Sequence, residues 1–228
     1  MLGIIGAMEI ETSGLIAKMT ETEDVYSGNY KFVKGKISGK EVVVCKCGIG
    51  KVFSSTACAL MIEKFGVSEI INIGVAGGAK PLRQGDVVVG KNTVQHDCDS
   101  TADGLALGQV NGFDSPYFAC DEEIVQRLDE LLTKKGYTHK VGTIASGDCF
   151  VSDTTKAKRI SDNFGAIAYD MESGAINQVC AFQGVKFCSL RAISDNGDDG
   201  ALKSFYEFVS EASQKSIDVI CSYVAEFC

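Results

Sequence analysis

The stretch EIINIGVAGG, Glu69–Gly78, is a run of β-forming apolar residues that ends in two glycines. Its Ile and Val residues do not alternate with polar ones, so a strand made from it must be covered on both faces, as strands of parallel sheets are. The same form recurs along the chain. LGIIGAM (Leu2–Met8) and EVVVCKCGIG (Glu41–Gly50) precede it, and DVVVGKNTVQH (Asp86–His96), KVGTIASGDCF (Lys140–Phe150) and VKFCSLRAISD (Val185–Asp195) follow. Between them, Val52–Phe65, Asp121–Lys135, Thr154–Asn163, Glu172–Phe182 and Lys203–Phe227 carry helical patterns. Alternation of this kind predicts an α/β fold, a three-layer α/β/α domain around a mixed, mostly parallel sheet. The glycine-containing turn in YKFVKGKISGKEVVVCK (Tyr30–Lys46) predicts an antiparallel hairpin within that sheet. No linker, repeat or low-complexity tract divides residues 1–228, which read as one domain.

The runs share a second feature: strand after strand finishes in glycine with polar or acidic residues. IGAMEIE (Ile5–Glu11), CGIGK (Cys47–Lys51), NIGVAGG (Asn72–Gly78), SGDCF (Ser146–Phe150), DMES (Asp170–Ser173) and RAISD (Arg191–Asp195) all stand at such ends. Ligands of open α/β sheets bind beyond the carboxyl ends of the strands, so the pattern points to a small-molecule site. Neither GIGK nor VAGG matches a phosphate-binding fingerprint. Their glycines either let backbone approach a neutral ligand or simply turn the chain. Glu11, Glu172 and Asp195 each follow a strand-like run. Taken singly, each reads as a carboxylate favoured by a helix N-terminus. Gathered at one crevice with Arg191, they suit acid–base chemistry on an uncharged or cationic intermediate.

Composition narrows the partners. With 22 Lys and Arg against 30 Asp and Glu, the net charge is -8 and no basic stripe interrupts it, which excludes nucleic acid. Ten cysteines are scattered without a C-x-x-C pair and read as small buried hydrophobes, and the two histidines, His96 and His139, have no partner at ligand spacing. No metal site is expected. No apolar run approaches about 18 residues, so no membrane span is expected. The start MLGIIGAME lacks a cationic leader region, and with reduced thiols this predicts a cytoplasmic protein.

The six motifs in this order closely resemble those of the 5'-methylthioadenosine/S-adenosylhomocysteine nucleosidases of the nucleoside phosphorylase superfamily, over nearly the whole chain. The resemblance implies a nucleoside phosphorylase-like fold and cofactor-free hydrolysis of the N-glycosidic bond of an adenine nucleoside, releasing adenine and a 5-thio-substituted ribose. It casts Asp195 as the general acid at adenine N7, Glu11 as the base that orients and deprotonates water, and Glu172 as the clamp on the ribose hydroxyls. Met171 is expected to pack under the ribose, and Arg191 to fix the water and Glu172. Phe150 is expected to stack on the adenine, with the Val151 backbone reading the base edge and Phe205, Met8 and Ile49 lining the site. Asp170 stands where the family often has Glu and receives no role.

Two departures bear on the substrate. Val75 replaces a Ser found in some members and removes a hydroxyl contact. In HDCDSTADGLALGQVNGF (His96–Phe113), a loop that the resemblance expects to complete the site of a neighbouring subunit, Asp103 takes the place of an aromatic residue, with Ser100 and Asn111 at positions that are often apolar. Leu105 or Leu107 substitutes there, or the pocket favours a more polar 5' group. The resemblance thus implies a homodimer acting on a small adenine nucleoside. Three other readings stand beside the nucleosidase: an aminofutalosine nucleosidase, a purine nucleoside phosphorylase, and a noncatalytic nucleoside-binding protein of the same fold.

Overall fold

The computed structural model describes residues 1–228. In chain order the elements are β1 (Leu2–Gly6), α1 (Glu9–Ile16), β2 (Thr20–Ser27), β3 (Tyr30–Ile37), β4 (Lys40–Lys46), α2 (Lys51–Phe65), β5 (Glu69–Gly78) and β6 (Val87–Gln95). A short 3-10 turn at Thr101–Asp103 and then β7 (Tyr117–Ala119), α3 (Glu122–Lys135), β8 (His139–Ser146) and α4 (Thr154–Phe164) follow. The chain ends in β9 (Ala166–Asp170), α5 (Ser173–Gln183), β10 (Lys186–Asp195) and α6 (Ala201–Phe227). All five helical segments read from the sequence are present, with ends shifted by one or two residues. Asp121 and Asp153 set two of the starts, accepting the backbone N–H of Ile124 at 3.1 Å and of Lys156 at 2.6 Å. Helix α1 was not legible, because EIETSGLI carries almost no amphipathic period.

One sheet runs in the order β10-β6-β8-β9-β5-β1-β4-β3-β2, with β7 on β6. Its two longest ladders, β5 with β10 and β6 with β8, are parallel, and β3 with β4 forms the expected antiparallel hairpin. Strand β5 is central. Its first residues pair with β1, its last two glycines pair antiparallel with Tyr169 and Ala168 of β9, and its other edge carries β10. Since β10 also pairs with β6, the strands β5, β10, β6, β8 and β9 close on themselves.

Burial follows from that arrangement. Every residue of β1 is buried, as are all but the first of β5 and of β10, so no polar face could alternate in those sequences. Helices α1 and α3 pack on α6, and α2 packs on α5, which supplies the two helical layers. Six of the ten cysteines are buried, and all ten are unpaired thiols. No helix is long and apolar enough to cross a membrane.

Candidate active site

The carboxyl ends of β1, β5, β9 and β10 converge, and residues at and just beyond them wall one cavity, whose roughly 590 Å³ of empty space includes its open mouth. Asp195 enters it from the end of β10. Between Ile193 and Asp195 the ladder with β5 is broken by a bulge, so Asp195 lies opposite Gly77 while Ser194 is extra. Bulges re-aim side chains beside active sites. A Cβ on Gly77 would collide with Oδ1 of Asp195, so only glycine leaves this carboxyl its place. Burial pushes the Asp195 carboxyl above the usual carboxylate range, against the lowering effect of Gly197 N–H and Ser194 Oγ, each donating at 2.9 Å.

Glu11 comes from the first turn of α1. Its Oε2 accepts the backbone N–H of Ala7 at 2.7 Å and of Met8 at 2.8 Å, the reciprocal contact that caps this helix. Its Oε1 accepts the N–H of Val75 at 3.0 Å, tying α1 to β5. Three donors fix the carboxyl with no rotamer freedom to spare. Desolvation raises its pKa all the same, outweighing Arg191 and the three backbone donors.

Glu172 sits at the start of α5, directly after β9. Its Oε1 accepts the N–H of Gly50, at the N-terminus of α2, at 3.0 Å, and its Oε2 lies 3.6 Å from Nη2 of Arg191. Burial pushes this carboxyl up to about 7, with Arg191 opposing and Asp170 and Glu11 adding to the rise. The strand-to-helix junction at DMES therefore holds two carboxylates for different partners. Both residues reach the cavity wall, but Asp170 makes the direct ion pair with Arg191, Oδ2 to Nη2 at 2.7 Å, while Glu172 stands farther from the guanidinium.

Met8, Ile49, Val75, Phe150, Val151, Met171 and Phe205 share the wall with Glu11, Asp170, Glu172 and Asp195. Phe150, on the loop after β8, meets Phe205 of α6 edge-to-face with ring centroids 5.8 Å apart. Arg191 is different. It is fully buried beneath the cavity and forms no part of its wall, and it meets the wall only through Asp170 and, farther off, Glu172. The reason is the bulge: Arg191 and Asp195 stand four residues apart on β10 but opposite Gly74 and Gly77, three apart on β5, which breaks the alternation that would have set both side chains on one face. Tyr169, Cys149 and Ser194 also line the cavity without having been singled out. Tyr169 and Ser194 neighbour the recognised motifs, and that proximity was the only available signal. Ser100, Asp103 and Asn111 lie on a surface loop outside this chain's own cavity.

The wall holds acidic and apolar side chains and no Lys or Arg. No cluster of His, Cys, Asp or Glu is arranged to hold a metal ion. The site can hold a proton on one carboxyl, accept one on another, and enclose an apolar, flat ligand between its aromatic and methionine side chains.

Comparison with known proteins gives the same outline. The sequence profile of the Phosphorylase superfamily matches residues 1–225. A 5'-methylthioadenosine/S-adenosylhomocysteine nucleosidase of Staphylococcus haemolyticus is 38% identical over 98% of this chain and 99% of its own length. The crystal structure of the enzyme of that name from Neisseria meningitidis, in complex with methylthio-immucillin-A, superposes with a TM-score of 0.96 at 36% identity, covering 99% of both chains. The futalosine hydrolase of Helicobacter pylori superposes with a TM-score of 0.95 at 34% identity, over 99% of this chain and 97% of the other.

Proposed function

The chain belongs to the phosphorylase superfamily, and from the geometry of its site we propose that it is a hydrolase of that family, cleaving the N-glycosidic bond of 5'-methylthioadenosine and S-adenosylhomocysteine to adenine and the 5-thio-substituted ribose. The observation that carries the choice of hydrolysis over phosphorolysis is the cavity wall. It offers Glu11 and Glu172 where phosphate would require cations, and its one nearby guanidinium is committed beneath the surface.

The chemistry assigns the groups. Adenine leaves when N7 takes a proton, and Asp195, held above the usual carboxylate range by burial, is suited to keep one to give. As the bond from C1' to N9 breaks, the sugar becomes oxocarbenium-like; a water oxygen bonds to C1' and its proton passes to Glu11, whose raised basicity favours acceptance. Glu172 clamps the ribose hydroxyls, and its negative charge favours the sugar cation. Phe150 stacks on the base, the Val151 backbone reads its edge, Met171 packs under the ribose, and Met8, Ile49, Val75 and Phe205 enclose the remainder.

We read the active species as a homodimer. Val52 and Phe53 on α2 and Phe182 on α5 are 73%, 58% and 79% exposed, apolar surface that a second copy would cover. The loop from Ser100 to Asn111, being free of its own cavity, is then available to the neighbour's. Residues 1–228 act as one domain on this reading, in methionine salvage in the cytoplasm, a compartment that ten unpaired thiols fit.

Adenine release from 5'-methylthioadenosine, S-adenosylhomocysteine and aminofutalosine, each with and without phosphate, tests the proposal. Phosphate-independent release from the first two is expected; release that requires phosphate would make the protein a phosphorylase. Aminofutalosine is included because Asp103, Ser100 and Asn111 make the loop polar, and because the likeness extends to a futalosine hydrolase.

A further inference from the structure

Three carboxyls, Glu11, Asp170 and Glu172, surround the single guanidinium of Arg191, so its one positive charge cannot neutralise them all. The geometry shows how it is divided. Asp170 Oδ2 stands 2.7 Å from Nη2, while Glu172 Oε2 stands at 3.6 Å, beyond hydrogen-bond length. Asp170 is itself held from several sides. Ser146 Oγ donates to Oδ1, and Ser173 donates both its hydroxyl and, at 3.2 Å, its N–H to Oδ2. The guanidinium is pinned through Nη2 and Nε, while Nη1 has no hydrogen-bond partner. Arg191 Nη2 donates to Asn72 Oδ1, Nε donates at 3.3 Å to Ser173 Oγ and Ser189 Oγ, and Asn72 is fixed by its own donation to Ile5 O at 2.9 Å. All of these residues are buried. Apart from the three carboxylates themselves, none contributes to the cavity wall, so the residues that hold them serve no ligand directly.

We propose that Asp170 is a positioning residue: anchored by Ser146 and Ser173, it takes Arg191 as its direct ion-pair partner and so leaves the Glu172 carboxyl free to turn to the ligand. The inference rests on the reading of Glu172 as the ribose clamp for its catalytic meaning, but the division of charge can be measured without turnover. The groups that face Glu172 are Arg191 from β10, Asp170 from β9, Glu11 from α1, the Cys47 thiol after β4 and the Gly50 N–H at the start of α2. With Asp170 neutral, Arg191 has only Glu172 and Glu11 to satisfy, and the Glu172 carboxylate, 3.6 Å from Nη2 in the native arrangement, can close to hydrogen-bond length. Its acidity should rise accordingly.

The test is a carboxyl titration of protein labelled with [δ-13C]glutamate, followed by 13C NMR, with Glu172→Gln identifying the Glu172 signal. In the wild type Glu172 is expected to titrate well above the ordinary glutamate range, and in Asp170→Asn its acid dissociation constant should rise about tenfold or more, one unit or more down in pH. In parallel, kcat/KM for the nucleoside in Asp170→Asn should fall about tenfold at a pH where Glu172 is ionised in both proteins, because the clamp is drawn back to Arg191. An unmoved Glu172 titration in a folded Asp170→Asn protein overturns the proposal even if activity falls, since loss of activity alone is what a merely structural role would give. Should that variant not fold, the wild type decides: a Glu172 signal that titrates in the ordinary glutamate range means that Arg191 already serves Glu172, and the proposal is wrong. If the wild type releases no adenine from any nucleoside, the ribose-clamp reading fails while the titration still judges the role of Asp170.

Discussion

The backbone N–H of Gly50 donates to Oε1 of Glu172 at 3.0 Å, joining two residues 122 positions apart at the starts of α2 and α5. The N-terminus of α2, with the partial positive charge of its free N–H groups, thus faces a carboxyl that stands among other acids. The same few atoms also meet the loop after β8, because Asp148 Oδ1 accepts the N–H of Lys51, the next residue along. The Glu172 carboxyl and the loop after β8 are therefore held by one turn of α2.

Gly50 should tolerate no side chain. Its φ of 99° lies in the region that favours glycine, and a Cβ there would collide with Oδ1 of Asp148. Gly50→Ala is expected to cost about 1–3 kcal/mol in denaturant unfolding through backbone strain. Displacing the donor from a charged acceptor should lower kcat/KM for the nucleoside by about tenfold or more. A variant equal to wild type in both measurements would show that this hydrogen bond is dispensable.

On the proposed mechanism, Asp195→Asn removes the proton to be donated and keeps the shape. The general acid contributes about 10²- to 10⁴-fold in comparable enzymes, so kcat should fall by that order while equilibrium binding of 5'-methylthioadenosine, measured by calorimetry, changes less than about tenfold. Turnover at the wild-type rate would remove Asp195 from the mechanism. The same comparison with Glu172→Ala should show losses in kcat and in binding together, because the clamp touches the sugar before and during the reaction.

Where the site stands was legible in the sequence because parallel strands signal themselves by apolar runs and their ligands lie at the carboxyl ends; hence Glu11, Glu172 and Asp195 could be named as strand-end acids. What supports them was not. Asn72, Ser173, Ser189 and Ser146 are isolated polar residues in or beside apolar strands, and no period distinguishes a structural serine from one that holds an ion pair. The bulge at Ser194 left no mark either, since it depends on register between β5 and β10, and with it went the side that Arg191 faces. Helix α1 was hidden for a related reason: its stability comes from the Glu11 cap and from packing on α6, not from an amphipathic pattern.

Asp97 should act on binding of the base without touching it. It accepts Lys51 Nζ at 2.7 Å and the backbone N–H of Asp148 at 2.9 Å, and the Asp148 carboxylate in turn accepts the Lys51 N–H at 2.8 Å. That latch fixes the loop carrying Phe150 and Val151 against α2. Asp97→Ala should raise KM by about three- to tenfold with kcat within about twofold, the pattern of lost uniform binding. A fall in kcat with KM unchanged would mean that the latch serves the chemistry through Glu172 instead.

The raised Glu172 carboxyl also makes stability depend on pH in a direction opposite to that of most buried, paired carboxylates. Its folded value of about 7 exceeds the ordinary 4.5, so between those limits the folded protein keeps a proton that the unfolded chain has released. The resulting preference for the folded state is complete below about pH 4.5 and is lost as pH rises through about 7. Two and a half units correspond to about 3 kcal/mol as an order of magnitude. Glu172→Gln cannot titrate at this position. Its unfolding free energy relative to wild type should therefore improve as pH is raised from 5 to 8, by on the order of 1–3 kcal/mol in denaturant melts of the ligand-free protein. Glu11 and Asp195 are raised as well, but they titrate in both proteins and largely cancel in the difference. A difference that stays flat across that range would show that Arg191 and the Gly50 N–H already hold Glu172 as an ordinary carboxylate.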